Sequence, residues 1–228
     1  MSIFDTIDSF VCQSNTVITQ KRRRDRIKIY SEGLKGKIKQ VEYSSRKLSE
    51  FEHLTDSTRT STAEDGFPIP ESVNFYCDSF WIFLYSSLDV LAQILNQAVK
   101  LSLKERDISF KKVNTCIPAK LQGTPVHKKL AACIKSNAFK NLEDYRNCSI
   151  HRRQIFILEE TKHVTHTPGY QASSTGSVPT VVRTLCDNPL ALSPRIKQVR
   201  KIPEYLIETQ KKILKHIDQI LKNTIPLK

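Results

Sequence analysis

Three side chains in the segment LEDYRNCSIHRR, residues 142–153, have the types and spacing to do chemistry: Arg146, Asn147 and His151. Attack of a ribose 2′-hydroxyl on the adjacent phosphodiester needs a group that moves a proton near neutral pH. It also needs a cation to hold the phosphorane as charge builds on it. Histidine is the usual side chain for the first task. The planar arginine fork matches phosphate oxygens and suits the second. An asparagine amide donates and accepts at once, so it can orient either partner. On a helix, Asn147 and His151 stand at i and i+4 and share a face. Arg146 lies about 140° from His151 round an ideal helix. A helix end near Ile150, the reach of the arginine side chain or a second copy of the motif would have to close that gap.

Other chemistries find little support. The chain has 6 Gly and no glycine-rich phosphate loop, no GxSxG motif and no paired-carboxylate motif. His163 and His166 have no acidic or thiol cluster beside them, and none of the six cysteines is spaced as a zinc ligand. The expectation is therefore no metal and no cofactor. Cys148, inside the motif, reads as a packing residue, since no base stands next to it in the sequence.

The elements that must position these residues are mainly helical. Apolar residues at helical spacing predict a helix over 21–54, opening on the basic run KRRRDRIK. That run reads as a solvated helix start or as an RNA-contacting patch. Gly33 and Gly36 weaken the first half of this helix. Residues 55–72 form a Ser-, Thr- and Pro-rich linker. A long core helix over 73–104 is apolar nearly all round, with Asp78, Asp89 and Asn96 as the polar interruptions that need partners. Residues 105–126 are irregular, broken by Pro118, Gly123 and Pro125. The motif-bearing helical region covers 127–153, divisible at Asn137 or Asn141. Residues 154–200 read as a β-rich, hairpin-like insertion. A C-terminal helix spans 203–223, with Pro203 in its first turn. Residues 1–20 show no dependable period. The fold class expected is a single, mainly α domain, a bundle of four to five helices with the insertion before the last one.

Charge narrows the class of partner. Thirty-six Lys and Arg against 23 Asp and Glu give a formal net charge of +13 and a pI near 9.5. A surplus of that size attracts polyanions, RNA among them. The first residues lack the basic start and apolar core of a signal peptide, and no apolar run approaches the roughly 18 residues that span a bilayer. A cytoplasmic protein without membrane contact is the expectation.

The run RNCSIH resembles the hallmark of the HEPN superfamily, an Arg and a His four to six residues apart near the end of a bundle helix, with a polar residue directly after the Arg. The apolar segment DSFWIFLYSSLDVLAQILNQAV looks like the hydrophobic helix that precedes the motif in many members. The resemblance covers roughly 73–153 and the last helix. It implies a metal-independent endoribonuclease, dimerised so that two motifs line one cleft. His151 would then be general acid or base, Arg146 would hold the scissile phosphate, and Asn147 would position both. Arg152, Arg153, Lys128 and Lys129 would bind RNA along the approach. Toxin–antitoxin systems or antiviral defence are the associated roles. The alternative is a non-catalytic HEPN-like nucleic-acid- or nucleotide-binding module, acting with a partner such as an antitoxin or a nucleotidyltransferase.

Overall fold

The computed structural model of the chain describes residues 2–51, 69–151, 157–158, 181–182 and 202–227. The fold is mainly α, as expected. In chain order the helices are α1 (Ile3–Val17), α2 (Lys21–Phe51), α3 (Ile69–Ala98), α4 (Phe110–Thr115), α5 (Pro125–Lys135), α6 (Asn137–His151) and α7 (Ile202–Asn223). Two short strands, β1 (Ile157–Leu158) and β2 (Val181–Val182), pair antiparallel with Ile157 opposite Val182, the hairpin-like pairing expected of the insertion. Among the described residues, no helix is long and apolar enough to cross a membrane. The chain forms two compact units. The first holds Met1–Lys39, Phe83–Lys140 and Lys211–Lys228; the second holds Gln40–Ile82 and Asn141–Gln210.

The first helix is a correction, since residues 1–20 carry no assigned element in the sequence reading. A capping box starts it: the Asp5 N–H donates to Ser2 Oγ (3.2 Å) and the Ser2 N–H donates to Asp5 Oδ2 (2.7 Å). Thr6, Ile7, Phe10 and Ser14 then form its buried stripe. Thr6 Oγ1 donates to Asp218 Oδ1 (2.7 Å), and Lys222 Nζ donates to the other oxygen (2.8 Å). Burial would raise the Asp218 pKa, yet these two bonds hold it below its ordinary value.

In α2, Ile27, Ser31, Leu34, Ile38, Val41, Ser45 and Leu48 are buried at alternating steps of three and four, the single stripe that helical periodicity requires. Tyr30, expected on that stripe, is only half-buried, and its hydroxyl donates to Glu105 (2.7 Å). The basic run at its start is neither simply solvated nor simply a patch. Arg23 is 9% exposed. Its Nε and Nη2 donate to the Gln97 carbonyl (3.0 and 2.7 Å), and Nη2 also reaches the carbonyls of Ala98 (3.3 Å) and Leu227 (3.0 Å). The last carbonyls of a helix have no partner within it and sit at its negative pole, so a buried cation satisfies both needs.

The end of α3 comes earlier than the sequence reading places it, at Ala98 instead of residue 104. Lys100 and Ser102 adopt left-handed φ values of 55° and 58°, which turn the chain away from the helix. Asn96 fixes that turn, with Nδ2 donating to the Leu103 carbonyl (3.0 Å) and Oδ1 accepting from the Leu103 N–H (3.1 Å). The same helix starts earlier, at Ile69, so the last residues of the expected linker are helical; residues 52–68 lie outside the described part. The stretch read as irregular contains α4, whose N-cap Ser109 accepts from the Lys112 N–H (3.3 Å) while Asp89 Oδ1 accepts from the Phe110 N–H (3.3 Å). Gly123, at φ +75°, makes the turn that an L side chain would strain, and Pro125 occupies the first turn of α5.

Replacing Arg23 by Met keeps the apolar stem and orphans the carbonyls of Gln97, Ala98 and Leu227; the expected loss is about 2–3 kcal/mol. The exposed neighbour Arg22, replaced by Ala, stays within about 0.5 kcal/mol. Gly36 sits mid-helix with open space where a Cβ would stand. Gly36→Ala should therefore raise stability by about 0.5–1 kcal/mol. Urea denaturation of the three variants checks all of these values.

Candidate functional site

The second compact unit holds the positions of Arg146, Asn147 and His151. What fixes them begins one residue earlier. Tyr145 is 1% exposed and lies flat on the Trp81 indole, with ring centroids 4.3 Å apart and planes 4° from parallel. Tyr205 of α7 tilts against both rings, 5.8 Å from Trp81 and 6.5 Å from Tyr145. Phe80 meets the indole edge-on at 5.2 Å. One and a half turns before the motif, Asn141 Nδ2 donates to the Tyr205 hydroxyl (2.8 Å). An aromatic stack of this kind adds about 0.5–1.5 kcal/mol to the burial of its rings.

The direction of the motif follows from helix geometry. With Tyr145 turned inward beside Leu142, Arg146 leaves the axis about 100° away and Asn147 about 200° away. Both side chains are half-buried, at the border of the core. Arg146 Nη1 donates to Asn147 Oδ1 at 3.1 Å. Position 151, the last of α6, stands about 40° beyond Asn147 round the helix. Asn147 therefore lies between the Arg and His positions, hydrogen-bonded to the first and on the face of the second. The helix does not end before His151, so one of the three ways of closing the gap between Arg146 and His151 is removed. The side chains of residues 148–151 lie outside the described part, Cys148 and His151 included.

The break between α5 and α6 falls at Ser136, one residue before the earlier of the two expected points. Ser136 closes α5 and opens α6 at once: its N–H bonds the Cys133 carbonyl (3.0 Å), and its Oγ accepts from the Phe139 N–H (3.2 Å). The break gives α6 its own start, 10 residues before Arg146 by sequence number.

Of the expected RNA-binding residues, Lys128 is exposed and Lys129 half-buried, both on α5 in the first unit. Arg152 and Arg153 lie outside the described residues. The histidines whose side chains are described have other duties. His127 Nδ1 accepts from the Gly123 N–H (3.1 Å). Burial, with Lys129 and Lys215 adding to it, lowers the pKa of His216. Cys77 and Cys133 are core thiols; burial pushes each up to about 12, and in Cys77 the charge of Asp78 adds to this. Among the described residues no group of three His, Cys, Asp or Glu is placed to hold a metal ion.

Sequence reasoning missed the supports of the motif: Tyr145, Asn141 and Tyr205. Tyr145 had a signal, being three residues after Leu142 and six after Phe139 on an amphipathic helix. That its ring would meet the indole of Trp81, distant in sequence, had none.

The model of the Cthe2314-like HEPN family (HEPN_Cthe2314) matches residues 30–218. No curated protein and no solved structure matches the chain.

Truncating Tyr145 removes the stack and leaves a void beneath the motif. Tyr145→Ala should cost about 3–5 kcal/mol in urea denaturation. Tyr145→Phe, which keeps the ring, should stay within about 1.5 kcal/mol. Amide exchange at Arg146 and Asn147 should speed up in the alanine variant alone.

Proposed function

Because the chain belongs to the Cthe2314-like HEPN family, and is thus a HEPN-type nucleotide-binding or ribonuclease module, we propose that it is a metal-independent endoribonuclease. The observation that carries this reading is the hydrogen bond from Arg146 to Asn147 at the surface end of α6, with position 151 one turn further on the Asn147 face. In the proposed reaction His151 takes the proton of a ribose 2′-hydroxyl. The 2′-oxygen attacks the adjacent phosphorus, and the bond to the 5′-oxygen breaks. The leaving 5′-oxygen takes up a proton, so the products end in a 2′,3′-cyclic phosphate and a 5′-hydroxyl. The Arg146 fork holds the phosphate oxygens as charge develops, and a positioned donor of this kind is worth about 10²–10³ in rate. Asn147 keeps that guanidinium in place and leaves its own amide hydrogens for the substrate.

A single motif supplies one proton-transfer group, whereas the reaction has one proton to remove and one to donate. A homodimer that brings two motifs to one cleft supplies both, and it also relieves the separation of Arg146 from His151 round one helix. Arg152, Arg153, Lys128 and Lys129 serve as RNA contacts in this reading. A toxin–antitoxin or antiviral role, in the cytoplasm, fits an RNA-cleaving protein of this family. An antitoxin or nucleotidyltransferase partner would then hold its activity in check.

The test is cleavage of mixed single-stranded RNA by the purified chain in EDTA, with analysis of the product ends. Wild type should cut and leave cyclic or 3′-phosphate ends. His151→Ala should lose about 10²–10⁴ in rate. Arg146→Lys should lose about 10²-fold or more, because a point charge does not replace the fork. Equal cutting by wild type and His151→Ala rules out the assigned site. If the wild type binds RNA without cutting it, the chain is a non-catalytic binding module.

A further inference from the structure

Besides the motif, the second unit carries a feature that the cleavage chemistry does not use. Phe75 of α3 is 64% exposed and Tyr43 of α2 is 46% exposed. Lone exposed aromatics are ordinary, but these two are joined through a third ring. Tyr76, buried, meets Phe75 edge-on at 5.4 Å and Tyr43 edge-on at 6.1 Å. The guanidinium of Arg46, one turn along α2, lies over the Tyr43 ring with Cζ 5.5 Å from its centroid. Lys47 is paired with Glu50 at 2.8 Å, so the nearest acid further along the helix is already neutralised.

We propose that Phe75, Tyr43 and Arg46, braced from below by Tyr76, form a platform on which unpaired bases of single-stranded RNA stack. The inference rests on RNA as the ligand of this protein and adds which form of RNA is taken. Every base has a π-face, and stacking on an exposed aromatic is worth about 1–3 kcal/mol per base. A guanidinium held flat on a ring offers a second planar surface and a charge for the adjoining phosphate. Charge complementarity selects this occupant over a second copy of the chain: a formal net charge of +13 repels a like surface and attracts a polyanion. Base pairing hides the base faces, so a duplex cannot use the platform.

The experiment uses the full chain carrying His151→Ala, to prevent cleavage, and fluorescence anisotropy with a labelled single-stranded 12-mer and a duplex of matching composition. Phe75→Ala and Tyr43→Ala should each weaken binding of the single strand by about 5- to 100-fold, with duplex binding unchanged. Phe75→Trp should bind as well as Phe75 or better, while Phe75→Leu, equally apolar but without a π-face, should behave like the alanine variant. Thermal melts check that the variants fold, which the exposure of both side chains favours. Single-strand binding unaffected by Phe75→Ala and Tyr43→Ala overturns the platform. So does wild-type affinity in Phe75→Leu, and so does a change of sedimentation state in Phe75→Ala, which marks a protein-docking face. Failure of the nuclease reading looks different: the wild type does not cut, yet the aromatic dependence of binding persists. If the wild type binds no RNA, both proposals fall together.

Discussion

The Trp81 indole lies flat on the Tyr145 ring at 4.3 Å, both nearly inaccessible to solvent. What α6 can present outward is decided by this contact. A helix has a single free rotation about its axis, and a large buried ring fixes it. Turning α6 by even one residue, about 100°, would pull the tyrosine into water and drive Arg146 into the core. The hydrogen bond from Asn141 to Tyr205 and the edge contact of Phe80 close the stack from two more sides. The pair Arg146–Asn147 is held at the border of the core as the geometric remainder of that inward packing.

A chain this rich in cations must also keep some of them out of trouble, and the first compact unit shows how. Arg23 spends a charge in the interior, where an unpaired ion would be costly, because the last carbonyls of α3 and the Leu227 carbonyl together offer it partial negative charge from several sides. The Leu227 N–H donates to the Ala98 carbonyl at 2.8 Å, so the same helix end also anchors the C-terminal tail. The helix can stop at Ala98 because its orphan carbonyls are met, and Asn96 then steers the departing chain. Net positive charge thus divides into groups with an internal task and groups left to face a polyanion.

The helices were legible because their buried faces recur at three and four residues, a pattern independent of what the partner helix is. Hence α2, α3 and α7 stand within a few residues of where periodicity puts them, and Asp89 and Asn96 find the partners that polar groups in an apolar helix demand. Where the sequence misled, local signals competed. In α1 the apolar positions are few and Thr6 and Ser14 fill the inward stripe, so only the capping box betrays the helix. Ser136 ends one helix and starts another with one side chain, a double role that looks like any helical serine. Lys100 and Ser102 take left-handed backbone angles without being glycine, which no composition rule announces. In the motif, the residue types were legible and the Trp81–Tyr145 contact was not, because it joins positions far apart along the chain.

One helix carrying Arg, Asn and His is an incomplete device for cleaving a phosphodiester. Asn147 couples to the arginine through its carbonyl oxygen and shares a face with position 151, yet the arginine and position 151 remain about 140° apart round the axis. A substrate phosphate on one side of α6 meets the Arg146–Asn147 pair first; a proton acceptor for the 2′-oxygen must approach from the other. A second α6 related by a two-fold axis places each arginine toward the opposite histidine, because a two-fold reverses the order of residues round the facing helix. The two proton transfers then fall to two chemically identical groups in different surroundings. Such a cleft has one scissile position on its axis and accepts a strand that can be splayed across it, a demand that unpaired RNA meets and a duplex does not.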